Sequence, residues 1–199
     1  MIRKQQNRIA LGCFFFLCGF CFSTWASRIP TIMTLFEMNE AQLGSFLFIL
    51  PISSLIGLPL SAWIVSKFDS RYLLFFGFLL FATALFGIGV SGQIEHLIFA
   101  VALFALGLRA INISMNTQAI QLQKLYKKKI NGKFHGFWSL GGLCGLIFAT
   151  LIINLKITIG YHLGLVAIVS IFVCFVAYFY LLRNDKESTG NKLQFGKPD

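Results

Sequence analysis

Residues 97–119 read LIFAVALFALGLRAINISMNTQA, and Arg109 is the one charged side chain in the run. About 20 mostly apolar residues suffice for a helix to cross a bilayer, so this stretch predicts a transmembrane helix. An arginine near the middle of such a helix costs at least about 2.5 kcal/mol on insertion scales and must face protein or water. Asn112 and Asn116 follow Arg109 at i+3 and i+7, which puts the three polar side chains on one helix face. That face is predicted to line a polar cavity, with Arg109, Asn112 and Asn116 binding a solute. The guanidinium would donate a fixed fork of hydrogen bonds to an anionic or hydroxyl-rich molecule, and the amides would add mixed donors and acceptors. The competing reading is interhelical glue, typically about 0.6 kcal/mol per contact in membrane proteins.

Five further segments have the required length, giving spans at roughly 9–27, 43–65, 73–91, 97–119, 135–154 and 161–182. The whole composition agrees: 57% of the 199 residues are hydrophobic and 12% charged, against about 25% charged in soluble domains. A net charge of +10 points away from nucleic acid because the basic residues fall in short runs between apolar blocks. They fall on alternate connections. Arg3, Lys4, Arg8, Lys67, Arg71, the cluster from Lys124 to Lys133 and the C-terminal tail share one side, while only Arg28 and Lys156 lie on the other. Positive segments stay on the cytoplasmic side, so both termini are expected in the cytoplasm. Residues 1–182 are expected to form the six-helix domain, with 183–199 a polar cytoplasmic tail that carries no packed element.

An offset of 88 residues aligns the first three spans with the last three, and it pairs Phe16 with Phe104, Gly19 with Gly107, Gly44 with Gly132, Phe46 with Phe134, Leu55 with Leu143, Gly57 with Gly145, and Leu58 with Leu146. Two copies of a three-helix unit offset by an odd number of spans must be inverted in the membrane. The fold expected is therefore all-α, two inverted three-helix repeats in a bilayer.

Small residues mark helix faces: Ser54, Gly57 and Ser61 on the second span, Gly141 and Gly145 in a G-x-x-x-G spacing on the fifth. Their ordinary meaning is helix packing. Pro30 is expected to stop the first helix, leaving Arg28 at the outer interface as a vestibule gate or a headgroup anchor; spacing alone favours the anchor. Pro51 and Pro59 bracket the middle of the second helix and free backbone carbonyls that must be satisfied inside the protein; a kink there would serve a rocking motion, and many static helices tolerate such prolines. His135, beside Trp138 at the cytoplasmic start of the fifth span, is either titratable machinery or part of an interfacial aromatic cluster. The five cysteines lie inside apolar runs and read as packing residues, so no metal site or cofactor is predicted. His135, His162 and Ser139 lack a serine-hydrolase motif, and His162 starts on the opposite side of the membrane. An enzyme is not expected.

Three segments together resemble the major facilitator superfamily, and within it the YbjJ-like inner-membrane proteins related to the fucose-permease group. They are Trp25-Ala26-Ser27-Arg28-Ile29-Pro30 with Ala41-Gln42-Leu43-Gly44, then Ser114-Met115-Asn116-Thr117-Gln118-Ala119, then His135-Gly136-Phe137-Trp138-Ser139-Leu140-Gly141-Gly142. The resemblance implies two six-helix domains around a central solute path, of which this chain matches the first. It also implies a charged latch between the second and third spans; Lys67 and Arg71 carry its charges over, whereas Ser66 and Asp69 replace the family's aspartate and second glycine. At Asn112 the family often has an acid. The partners implied are the lipid bilayer, a small polar solute such as a sugar, and a second six-helix half or a second copy of this chain. A truncated product that transports nothing, and a scaffold binding a partner protein through Gly57, Gly141 and Gly145, are the alternatives.

Overall fold

A computed structural model describes residues 2–126, 129–183 and 185. Lys127, Lys128 and residues 186–199 of the tail lie outside the described residues. Eight helices follow in order: α1 Ile2–Ala26, α2 Ile29–Leu35, α3 Glu40–Leu47, α4 Ile49–Lys67, α5 Ser70–Val90, α6 Ile94–Tyr126, α7 Asn131–Asn154 and α8 Ile159–Tyr178. There is no strand among the described residues. Joined across two short breaks, these helices make six segments long and apolar enough to cross a membrane.

Both breaks have a backbone cause. α1 ends at Ala26, but Pro30 does not end the helical path as its ring alone predicts: the chain turns at Ser27–Arg28 and re-enters helix, with Pro30 in the first turn of α2. That turn leaves its N–H groups without intrahelical partners, so a residue lacking one costs nothing there. In the second span, helix is interrupted at Phe48. Pro51 has no N–H for the carbonyl of Leu47, the residue just before that interruption. Pro59 sits inside a continuous α4. α3 begins with a capping box, in which Asn39 Oδ1 accepts from the Gln42 N–H at 2.9 Å and Gln42 Oε1 from the Asn39 N–H at 2.9 Å.

Which helix packs on which follows the inverted repeat. Exchanging the two halves swaps α1 with α6, α4 with α7 and α5 with α8. α1 packs most extensively on α7, and α6 correspondingly packs on α4; α5 packs on α6, and α8 on α1; the pairs α5 with α8 and α1 with α6 map onto themselves. Gly57 and Gly145 hold equivalent places in this scheme. A Cβ on Gly57 would lie 3.2 Å from Leu106 Cδ2 and 3.3 Å from Arg109 Cβ on α6, whereas one on Gly145 would lie 2.5 Å from the Phe20 carbonyl oxygen on α1. The pair Gly19 and Gly107 is not equivalent, since Gly19 meets α7 and Gly107 meets Phe81 on α5.

An aromatic core fills the centre, where Phe81 stacks on Phe104 at 4.4 Å and Trp25 lies 5.1 Å from Phe104. α4 and α7 stand outside it: only 17% of the apolar window of each of these spans is buried, against 61% for the first span. Leu55, Ile56 and Leu60 on α4, and Leu143, Ile147 and Leu151 on α7, are exposed.

The α1–α7 crossing is backbone on backbone, and a Cβ at Gly141 would overlap the Phe16 carbonyl oxygen. The atoms nearest a Cβ at Gly57 are Leu106 Cδ2 and Arg109 Cβ and Cγ, at 3.2–3.4 Å, which asks for a much smaller shift. Gly141→Ala and Gly145→Ala are therefore expected to lower the thermal unfolding midpoint in detergent by the equivalent of about 1–3 kcal/mol or more, and Gly57→Ala by clearly less. Equal effects at the three positions would show that the two crossings are equally tight.

Candidate functional site

The α4–α6 crossing carries the polar face of the fourth span. Ser53, Gly57 and Ser61 are the buried stripe of α4, and Ser54 stands at its edge. There the Arg109 Nε–H donates to Ser54 Oγ at 2.7 Å. Because Gly57 has no side chain, the aliphatic stem of Arg109 lies against the α4 backbone. The two terminal nitrogens of the half-buried guanidinium make no hydrogen bond among the described residues. Asn116 Nδ2 donates to the Asn112 backbone carbonyl at 2.7 Å, so part of that amide is spent within the helix. The Asn112 side chain, also half-buried, makes no hydrogen bond among the described residues. The face can thus offer donors from Arg109 and both functions of the Asn112 amide to a molecule alongside α6.

The Arg28 side chain is turned into the protein. It is 4% exposed, and its Nε–H donates to His162 Nδ1 on α8 at 2.9 Å while Nη2 donates to the Ile157 carbonyl at 2.8 Å. The turn between α1 and α2 lets the side chain reach the start of α8, joining the first span to the last. His162 Nε2, Thr24 Oγ1 and Trp25 Nε1 are buried without hydrogen-bond partners among the described residues. No spacing could have revealed the pair, since its members are 134 residues apart.

At the basic end, Lys67 is exposed and lies over the Trp63 ring at 4.6 Å. Arg71 pairs with Asp69 at 3.6 Å, donates to the Tyr72 hydroxyl at 2.6 Å and lies 5.8 Å from the Tyr178 ring centre on α8. His135 is exposed, with its ring edge-on to Phe15 at 5.6 Å. Gly57, Gly141 and Gly145 all face other helices of this chain, so the surface that a scaffold would have used is spent internally.

The start of the tail is packed, contrary to the sequence expectation. Asp185 is buried, and its carboxylate accepts from the Ser70 N–H at 3.0 Å, from the Ser70 hydroxyl and from Gln118 Nε2 at 3.0 Å. Gln118 also exchanges hydrogen bonds with the Leu182 backbone, donating at 3.0 Å and accepting at 3.1 Å. Ser70 opens α5, whose N-cap residue Asp69 makes no side-chain cap bond. Asp185 supplies that cap from the far end of the chain, where the positive end of the helix dipole favours a carboxylate. An acid just past the last span is the visible signal in the sequence, and its hydrophilic surroundings hide it.

The family model of the Major Facilitator Superfamily matches residues 11–198. The chain belongs to the major facilitator superfamily. Among curated relatives it is 26% identical over 131 residues to the uncharacterized transporter y4wD of Sinorhizobium fredii, covering 66% of this chain and 35% of that protein. It is 24% identical over 131 residues to an uncharacterized MFS-type transporter of Yersinia pestis, covering 66% and 34%. It is 29% identical over 144 residues to the membrane protein MosC of Rhizobium meliloti, covering 72% and 35%. The matches span about a third of the length of each of these relatives. Superfamily membership accounts for the six apolar helices and their inverted pairing.

His162→Phe removes the acceptor of a buried guanidinium N–H and is expected to cost about 1–3 kcal/mol, read as a lower unfolding midpoint. Arg28→Leu in the same chain should recover part of that loss. A double variant no better than the sum of the single ones would remove the coupling between Arg28 and His162.

Proposed function

We propose that this chain forms one half of a transporter that moves a small polar solute, sugars among them, by alternating access. The observation that carries the reading is Arg109: a cation set in an apolar helix, held by one hydrogen bond at Nε, with its terminal donors unspent beside Asn112 and Asn116. A solute accepting from that fork would satisfy groups that lipid cannot.

A second six-helix half, or a second copy of this chain, covers the exposed faces of α4 and α7 and completes the path. Arg28 acts as a latch that must open or persist as the helices rock, and Lys67, Arg71 and His135 act at the opposite end. The protein sits in a bacterial inner membrane, as its resemblance to the YbjJ-like inner-membrane proteins implies, with both termini cytoplasmic, on the strength of the lopsided distribution of Lys and Arg. Within the superfamily it groups with the YbjJ-like and fucose-permease-related proteins, on the strength of the three quoted segments.

The test is solute binding and uptake in liposomes, with the chain alone and together with a matching second half, across a panel of sugars and organic anions. Arg109→Ala is expected to weaken binding about ten- to a hundredfold, the worth of a charged hydrogen bond, while membrane insertion is unchanged. Arg109→Lys should not restore it, because an ammonium lacks the planar fork. Undiminished uptake by Arg109→Ala would remove the site from α6.

A further inference from the structure

Arg109 fixes one positive charge on the α6 face, and the described acids stand well away from it. At 1.5 Å per residue, Glu95 in the first turn of α6 lies about 21 Å back along the helix. Glu40, which opens α3, and Asp69, just past the end of α4, flank Ser54 at about 20 Å on either side along the second span. Glu37 precedes α3. Asp185 is bonded to Gln118, about 13 Å along α6 from Arg109, and is spent there and on Ser70. No Asp or Glu among the described residues pairs with Arg109.

The face is also rich in donors. A single guanidinium N–H is spent, at Nε on Ser54. That bond points Nε at α4 and leaves the end of the fork, Nη1 and Nη2, for a ligand. Asn112 adds its amide N–H groups, against which the unspent acceptors are the Asn112 and Asn116 amide oxygens. A neutral polyol brings one donor with every hydroxyl oxygen, whereas a carboxylate brings acceptors only. Its two oxygens match the fork end in the bidentate geometry that makes arginine–carboxylate pairs strong.

We infer that the solute is a hydroxylated monocarboxylate of the sugar-acid class, its carboxylate held end-on by Nη1 and Nη2 of Arg109 and its hydroxyls met by Asn112 and Asn116. The inference rests on the transport reading, because alternating access closes the site and expels water from it. A neutral sugar closed in there leaves the guanidinium without a counter-charge in a medium where an unpaired charge is costly. A monoanion neutralises it, and a dianionic phosphate ester leaves a surplus negative charge. The asparagines lie one and two turns beyond Arg109 on the same face, where they meet the hydroxylated skeleton that follows the carboxylate and supply both donor and acceptor to it.

Binding to the full chain in liposomes, alone and with a matching second half, tests this with glucuronate, galacturonate, gluconate and glycerate, each against its own primary amide. The amide keeps every hydroxyl and removes the charge. At least one acid is expected to bind about ten- to a hundredfold more tightly than its amide, the worth of a charged hydrogen bond. Arg109→Gln should bring that acid down to the level of its amide, Asn112→Leu should weaken the two alike, and Lys133→Gln, a basic residue away from the face, should behave as native. The acid–amide comparison needs only the native chain and so holds if a variant does not fold. An amide that binds as tightly as its acid would overturn the carboxylate and leave the transporter reading standing. A hexose phosphate that binds more tightly than every acid would overturn the monoanion, and a preference for the acid that survives Arg109→Gln would take the carboxylate away from Arg109. Binding of neither acid nor amide in either preparation would overturn the inference together with the α6 site.

Discussion

Inside a bilayer the chain has no water with which to satisfy polar groups, and each buried charge must find its partners within the protein or along an aqueous path. The chain answers this demand in three ways. Arg28 is enclosed and paired with His162 and the Ile157 carbonyl. Asp185 is enclosed and capped onto the start of α5. Arg109 alone among them is half-buried and bonded once, at Nε. Arg28 and Asp185 close the bundle at its ends, joining the last span to the first and the third. Arg109 keeps donors unspent, and so marks the face on which function is to be sought.

The inverted pairing of helices explains why that face lies where it does. α1 and α6 cross near the centre, with α4 and α7 packed on them from the outside through Gly57 on one side and Gly141 and Gly145 on the other. The two crossings differ in kind. At α1–α7 backbone meets backbone, which fixes the helices closely. At α4–α6 the glycine makes room for the stem of Arg109, so the same symmetry position that gives tight packing in one repeat gives a seated cation in the other. A fold built from two similar units thereby holds one unlike residue in its interior.

Much of this is legible in the sequence, because hydrophobic length and the spacing of Arg109, Asn112 and Asn116 are local properties. The six spans need only runs of apolar residues, and the offset of 88 anticipates the equivalence of Gly57 and Gly145. What local reading misses is long-range or geometric. Pro30 reads as a stop when its missing N–H is counted as a loss, although in a first turn that group has no partner to lose. Arg28 reads as an anchor because its acceptors, His162 and Ile157, are far along the chain. Asp185 reads as part of a solvated tail because its partners, Ser70 and Gln118, sit on α5 and α6.

Water access to position 112 tests the central claim most directly. In a chain whose five cysteines are replaced, Asn112→Cys should react with a membrane-impermeant maleimide in liposomes, and Leu85→Cys, buried in the core of α5, should react only after denaturation. Labelling at 112 under native conditions is the result predicted for a polar face that borders an aqueous solute path. A thiol at that position that stays unlabelled until the protein is denatured would contradict it and reduce Arg109 to a packing residue.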